Sequence, residues 1–259
     1  MKVLLTNDDG IQAEGLMALV DVFMKNHEVS VIAPDRERSA IGHGITLNAP
    51  LRVESVKLPH GIAAHAVNGT PADCIKLAIV ELLHGKPDMV IAGINPGANV
   101  GVNLNYSGTV AAAKEATLYG IPALAVSMAG LKTVSYAEAA RFVEKLSQKV
   151  HQEGLPEGTF LNINLPNLPF GSIRGIKLSR QGNRLFPEYF EKRVDPRNRI
   201  YYWQGCDSPP QFDWSDIDCA VLHDHYISIT PIQCDMTDHQ ALNYLKQWGL
   251  ENGFKDTIK

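Results

Sequence analysis

The chain has 259 residues, 45% of them hydrophobic and 20% charged, with a formal net charge of −4. That mixture suits one large soluble α/β domain, or one domain with an appendage. It lacks the basic excess of a protein that grips a nucleic-acid polymer by its phosphates, and no apolar run approaches the length of a membrane span.

The expected elements alternate between strand and helix through the first two-thirds. A short apolar run, "KVLLT", precedes "IQAEGLMALVDVFMKNH", in which Leu16, Leu19, Val20 and Phe23 recur at helical spacing. Residues Val29–Pro34, "VSVIAP", form a second apolar run. After the stretch "LNAPLRVESVKL", the segment "GTPADCIKLAIVELLHG" announces a helix. There Thr70 is a natural N-cap, Pro71 fits the first helical position, and Asp73 favours the positive end of the dipole. Asp88–Ile94 is a third strand, "VAAAKEATLYG" a helix ending at Gly120, and "IPALAVS" a fourth strand. "YAEAARFVEKLSQKVHQEG" is a further helix, followed by "TFLNINLP" as a fifth strand.

Continuous apolar strands between helices indicate a mainly parallel sheet covered on both faces. Ligands of such sheets bind outside the carboxyl ends of the strands, at a topological switch point. Three loops leave those ends carrying oxygen-bearing side chains: Asp8-Asp9 in "VLLTNDDG", Ser39 in "DRERSA", and Asn95 in "INPGAN". Two adjacent carboxylates after an apolar strand call for a counter-charge. With one amide and one hydroxyl they form an all-oxygen set, which suits Mg²⁺, Mn²⁺ or Ca²⁺ better than structural zinc. The plainer alternative is that Asp8 caps the following helix and Asp9 is solvated.

Ser107-Gly108-Thr109 stands before a helix of small residues, whose positive end is a ready phosphate site. Simple N-capping by Ser107 or Thr109 is the competing account. His43 follows Ser39 closely and is a candidate proton donor, or a merely solvated loop histidine. Arg36 and Arg38 are candidates to steer phosphate, or surface charges. The four cysteines (Cys74, Cys206, Cys219, Cys234) form no metal-ligand spacing and read as reduced thiols. With a first strand starting near residue 2 and no room for a signal peptide, a cytoplasmic location is expected.

The last third differs. Residues 186–214 hold eight of the chain's 19 aromatic residues: Phe186, Tyr189, Phe190, Tyr201, Tyr202, Trp203, Phe212 and Trp214. We read this stretch as an extended hairpin packed on a second subunit. The chain then continues with strand "YISITPI" and a helix opened by the capping pattern Thr237-Asp238-His239-Gln240, with Ala241, Leu242, Leu245 and Trp248 on its inner face.

Five ordered motifs, "LLTNDDG", "APDRERSAIGHGIT", "NGTPADC", "IAGINPGANVG" and "YSGTVAAAKEA…GIPALAVS", closely resemble the SurE family, the stationary-phase-survival nucleotidases. The resemblance runs from residue 3 to about residue 128, with "ISITPIQCDMT" fitting the family's C-terminal part. It implies a metal-dependent phosphatase of nucleoside 5′- and 3′-monophosphates, in some members also of short polyphosphate. It further implies a Rossmann-like three-layer α/β/α sandwich, with a C-terminal extension exchanged in a homodimer or homotetramer. On this basis residues 1–185 are the catalytic domain, and 186–259 the extension with hairpin, strand and helix. The family's metal ligands fall on Asp8, Asp9, Ser39 and Asn95, holding one divalent cation such as Mg²⁺ or Mn²⁺. Asp8 and Asp9 also carry the catalytic role, and Asn95, Ser107, Gly108 and Thr109 the phosphate. The chain departs from the family at Ala40, Ala111 and Ala116, where members often have glycine.

Three other readings meet the same residues. A haloacid-dehalogenase-type phosphatase needs D-x-D, whereas these acids are adjacent. A receiver-like module needs a third Asp where this chain offers Asn95. A nucleotide sensor without turnover differs only in an assay.

Overall fold

A computed structural model describes residues 1–130, 136–183, 188–206 and 214–250. Within them the main sheet is built from β1 (Lys2–Thr6), β2 (Glu28–Pro34), β3 (Val53–Lys57), β4 (Ala63–Val67), β5 (Met89–Pro96), β6 (Ala123–Met128), β7 (Thr159–Leu165), β8 (Ile176–Leu178) and β11 (Ile227–Gln233). These nine make one sheet in the order β3-β4-β2-β1-β5-β6-β7-β11-β8. All neighbours run parallel except β3 with β4 and β7 with β11. β3, β4 and β8 are additions to the expected strands. β3 is an edge strand with a mostly exposed surface, so its residues show no apolar run by which to find it.

The helices are α1 (Glu14–Phe23), α2 (Pro71–Leu77), α3 (Gly108–Leu118), α4 (Tyr136–Glu153), α5 (Asp218–His223) and α6 (His239–Lys246). In α1 the four residues at helical spacing, Leu16, Leu19, Val20 and Phe23, are all buried. Thr70 caps α2 with a reciprocal bond to Asp73, so both expected cap residues act. The helix then widens into a π-type turn over Ala78–Leu82. Successive β1 residues feed opposite cores: Val3 and Leu5 pack with α1 and α4 residues, and Leu4 with α2 and α3 residues. The result is three layers, helix on sheet on helix.

The polarity of the connections places the site. β1 has β2 on one side and β5 on the other, so the chain's order reverses between β1 and β5. A crevice opens there at the carboxyl ends, between the loop after Thr6 and the loop after Pro96.

The aromatic stretch forms a separate hairpin of β9 (Glu188–Val194) and β10 (Ile200–Cys206), antiparallel throughout. Phe186 and Phe212 lie outside the described residues. Tyr189, Phe190, Tyr202 and Trp203 are 49%, 63%, 58% and 59% exposed. The expected inner face of α6 is likewise uncovered: none of its residues is buried, and Leu242, Leu245 and the following Trp248 all stand in solvent. Its cap is Asp238, whose carboxylate accepts from the backbone amides of Gln240 and Ala241. Among the described residues, no helix is long and apolar enough to cross a membrane.

α1 lies so close to β5 that a Cβ on Gly15 would fall 2.0 Å from the Ile94 carbonyl oxygen. Backbone cannot yield there, and Ile94 directly precedes Asn95. Gly15→Ala is therefore expected to lower unfolding free energy by about 2 kcal/mol in a urea titration; an unchanged midpoint would mean that α1 packs more loosely than described.

Candidate active site

β1 ends in a turn fixed by its own asparagine. The Asn7 amide donates to the Gly10 carbonyl at 2.9 Å and accepts from the Gly10 amide at 3.2 Å. Gly10 has φ +106, a conformation open to glycine. The turn sets Asp8 and Asp9 at the switch point, and the Arg38 amide donates to the Asp8 carbonyl at 2.7 Å, tying the β2 loop alongside.

Asp8 is buried, and burial pushes its carboxyl above the usual range. What holds it down is the start of α3: the Thr109 hydroxyl donates to Asp8 Oδ1 at 2.5 Å, and the backbone amides of Thr109 and Gly108 also face the carboxylate. The positive end of α3 is thus directed first at Asp8. Gly108 permits the approach, since a Cβ there would lie 2.8 Å from Asp8 Cβ and 2.9 Å from Oδ2. Thr109 is occupied with Asp8. Ser107 caps α3 by accepting from the Val110 amide at 3.2 Å, which leaves its own hydroxyl hydrogen free to donate.

Asp9 has no such support. Its Oδ2 is buried without a hydrogen-bond partner. Its carboxyl is pushed up to about 7, chiefly by burial, then by the charges of Asp8 and Glu37. An unpartnered carboxylate oxygen beside a second carboxylate is a position whose charge a bound cation would offset. Asn95 fits the same purpose: its amide nitrogen donates to the Gly97 carbonyl at 2.7 Å, which leaves Oδ1 as a free acceptor.

Asp8, Ser39, Asn95 and Ser107 line one open cavity of about 660 Å³, together with Asn99, Tyr106 and, from the hairpin, Gln204. Asp9, next to Asp8 in the chain, is not among the lining residues. A second cavity of about 510 Å³, at the amino edge of the sheet, contains none of the predicted residues. Among the described residues no three His, Cys, Asp or Glu side chains gather as a metal site. The set here is two carboxylates completed by neutral oxygens, which fits a hard divalent cation with open positions.

Three candidates, His43, Arg36 and Arg38, lie apart from this wall. His43 is not part of it: its Nε2 meets Glu115 Oε2 at 2.7 Å on α3. Burial pushes Glu115 up, but hydrogen bonds from His43 and Lys76 outweigh it and hold its carboxyl below the usual range. Arg38 turns away to the Asn68 carbonyl at 2.5 Å and toward Asp35 at 3.6 Å, and the Arg36 side chain is 69% exposed. Cys74 and Cys219 are buried free thiols, and burial pushes both up in pKa.

A family model described as Survival protein SurE matches residues 3–188. The chain belongs to the SurE family. It is 53% identical over 251 residues to the 5′-nucleotidase SurE of Desulfatibacillum aliphaticivorans, spanning 97% of this chain and 99% of that protein. It is 48% identical over 256 residues to the 5′-nucleotidase SurE of Syntrophotalea carbinolica, spanning 96% and 98%. The crystal structure of the SurE protein from Aquifex aeolicus superposes with a TM-score of 0.84 at 36% identity, covering 96% of this chain and all (100%) of that one. The α/β three-layer architecture is therefore the SurE fold.

Ala40 adopts φ +54 on the cavity wall, a left-handed conformation that a glycine would enter without strain and that costs an alanine about 1 kcal/mol.

Sequence reasoning missed Asn99, Asn162, Asn164 and Asp218, which secure the loop behind Asn95. Asn162 and Asn164 were visible as two amides at period two in the otherwise apolar "FLNINL".

The raised Asp9 has a definite pH consequence. Because its folded pKa of about 7 exceeds the ordinary aspartate value of 3.8, its contribution to stability is full below about pH 4 and lost as pH rises through about 7. Asp9→Asn should thus stabilise metal-free protein at pH 7.5, by on the order of 1 kcal/mol since water still reaches part of the carboxylate. Thermal melts in chelator from pH 4 to 8 check this; a variant melting lower than the parent at pH 7.5 would contradict it.

Proposed function

We propose that this site hydrolyses the phosphomonoester of nucleoside 5′-monophosphates to nucleoside and inorganic phosphate, with one divalent cation, Mg²⁺ or Mn²⁺, held by Asp8, Asp9, Ser39 and Asn95. The chain is a SurE-type 5′-nucleotidase by its kinship with the enzymes named above. The observation that carries the site assignment is the buried, unpartnered Oδ2 of Asp9, next in the chain to Asp8, which lines a polar cavity.

The chemistry such an ion supplies when bound is charge neutralisation at the phosphoryl oxygens and a more acidic water. The chain's own residues do the rest. The Asp8–Asp9 pair, titrating as one unit, orients the attacking water and accepts its proton. As the new P–O bond forms and the ester P–O bond breaks, Ser107 donates its hydroxyl hydrogen toward a phosphoryl oxygen, beside the positive end of α3. Thr109 orients Asp8 and opposes the effect of its burial rather than touching phosphate. The leaving nucleoside oxygen takes a proton to become the alcohol, which balances the hydrolysis. The same phosphoryl end is presented by 3′-monophosphates and short polyphosphate, so these are included as substrates.

We further propose that residues 1–185 carry catalysis and that the hairpin and C-terminal segment serve assembly into a homodimer or homotetramer. Supporting this are the exposed aromatic faces of β9 and β10 and the uncovered apolar side of α6.

Phosphate release from 5′-AMP, measured with Mn²⁺ or Mg²⁺ and with excess chelator, tests the reading. Turnover should require the ion, and Asp9→Asn should lower it by at least about 100-fold. Ion-independent turnover would refute the metal assignment. No turnover of AMP, GMP, 3′-AMP or polyphosphate with any divalent ion would leave a nucleotide-binding sensor as the better account.

A further inference from the structure

Four hydrogen bonds from beneath the sheet edge converge on one residue, Asn99. The Asn164 Oδ1 accepts from the Asn99 amide at 2.8 Å, and Asn164 Nδ2 donates to the Asn99 carbonyl at 3.0 Å. Asn162 Nδ2 donates to the same carbonyl at 2.9 Å. The Asn99 side chain in turn donates to Ser127 Oγ at 2.8 Å. Asn162, Asn164 and Ser127 are all fully buried, in the adjacent strands β7 and β6, with Ser127 and Asn164 facing each other in register.

Buried amides cost free energy unless satisfied, and apolar side chains at these positions would serve the sheet as well. Asn162 even leaves its Oδ1 buried without a partner. Such a group is retained at a cost in stability, so its value must lie in what it holds. From Asn99 the chain runs back two residues to Gly97, whose amide donates to the Met128 carbonyl at 2.8 Å. The Gly97 carbonyl is the acceptor that turns the Asn95 amide nitrogen aside, leaving Asn95 Oδ1 free. On the other side, Asp218 accepts from the Gly101 amide at 2.8 Å and Gln181 donates to the Gly101 carbonyl at 2.9 Å, so the loop is held at both ends.

We infer that Asn162, Asn164 and Ser127 are positioning residues that clamp Asn99, and through the 95–99 loop fix the Asn95 oxygen for a divalent cation. None of the three lines the cavity; they act through Asn99 and Asn95. The inference rests on the cation assignment proposed above, and it specifies which residues tune that affinity.

The test is Mn²⁺ binding to substrate-free protein, followed by the loss of the free-ion paramagnetic resonance signal. It uses the parent, Asn162→Leu, Ser127→Ala, the double variant and Ser127→Thr. Replacing partners that orient a ligand typically costs 10–100-fold in metal affinity. The Mn²⁺ dissociation constant should rise about tenfold in Asn162→Leu and further in the double variant. Ser127→Thr, which keeps the hydroxyl, should bind as the parent does. Because Asn162→Leu removes a buried orphan oxygen, its metal-free melting temperature should hold or rise, which a purely structural role would not allow. Parent-like Mn²⁺ affinity in a folded double variant, or in Ser127→Ala alone should the double variant not fold, overturns the clamp and leaves the cation site standing. A parent that binds no Mn²⁺ overturns both.

Discussion

Everything at this site depends on a buried carboxylate meeting the start of a helix. Asp8 is carried inside by an apolar strand and would be neutralised by burial alone. The Thr109 hydroxyl and the first amides of α3 counter that, and Gly108 provides the room. Once the helix end is committed to Asp8, Asp9 keeps one backbone hydrogen bond and a buried Oδ2 that none reaches, so the pair as a whole is under-compensated. In our proposal the compensation is a divalent cation, shared with the oxygens of Ser39 and Asn95.

The fold makes this arrangement by converging loops rather than by one motif. The switch between β1 and β5 sets two loops side by side, the β2 loop joins through the Arg38 amide, and β6 and β7 reach the β5 loop from beneath through Ser127, Asn162 and Asn164. The local free energy therefore runs against stability at several points: an orphan carboxylate, an orphan amide oxygen, and an alanine at positive φ. Cost of this kind beside a cavity is the pattern expected where residues serve a site rather than stability.

Much of this was legible in the sequence because parallel strands buried on both faces read as apolar runs, so the polar residues just past the end of each run are conspicuous. Asp8, Asp9, Ser39 and Asn95 stood out on that ground, and the Thr70–Asp73 cap by its spacing. Three things were not legible. β3 is an exposed edge, so no apolar run announced it. The amides of β7 lie inside a strand, where sequence shows only a slightly polar core segment and not the loop it holds. Thr109 looked like a phosphate donor because a helix start is a generic anion site; only the tertiary placement of Asp8 shows which anion reaches it first. The apolar sides of the hairpin and α6 were visible as patterns, and no described residue of the chain covers them.

The most direct measurement is anomalous diffraction at the manganese absorption edge from crystals soaked in Mn²⁺. The account predicts one strong peak per chain within coordinating distance of Asp8, Asp9, Ser39 and Asn95 oxygens. A peak elsewhere, with Asp9 Oδ2 still unpartnered beside an empty switch point, would contradict the claim that the acid pair is built around a cation.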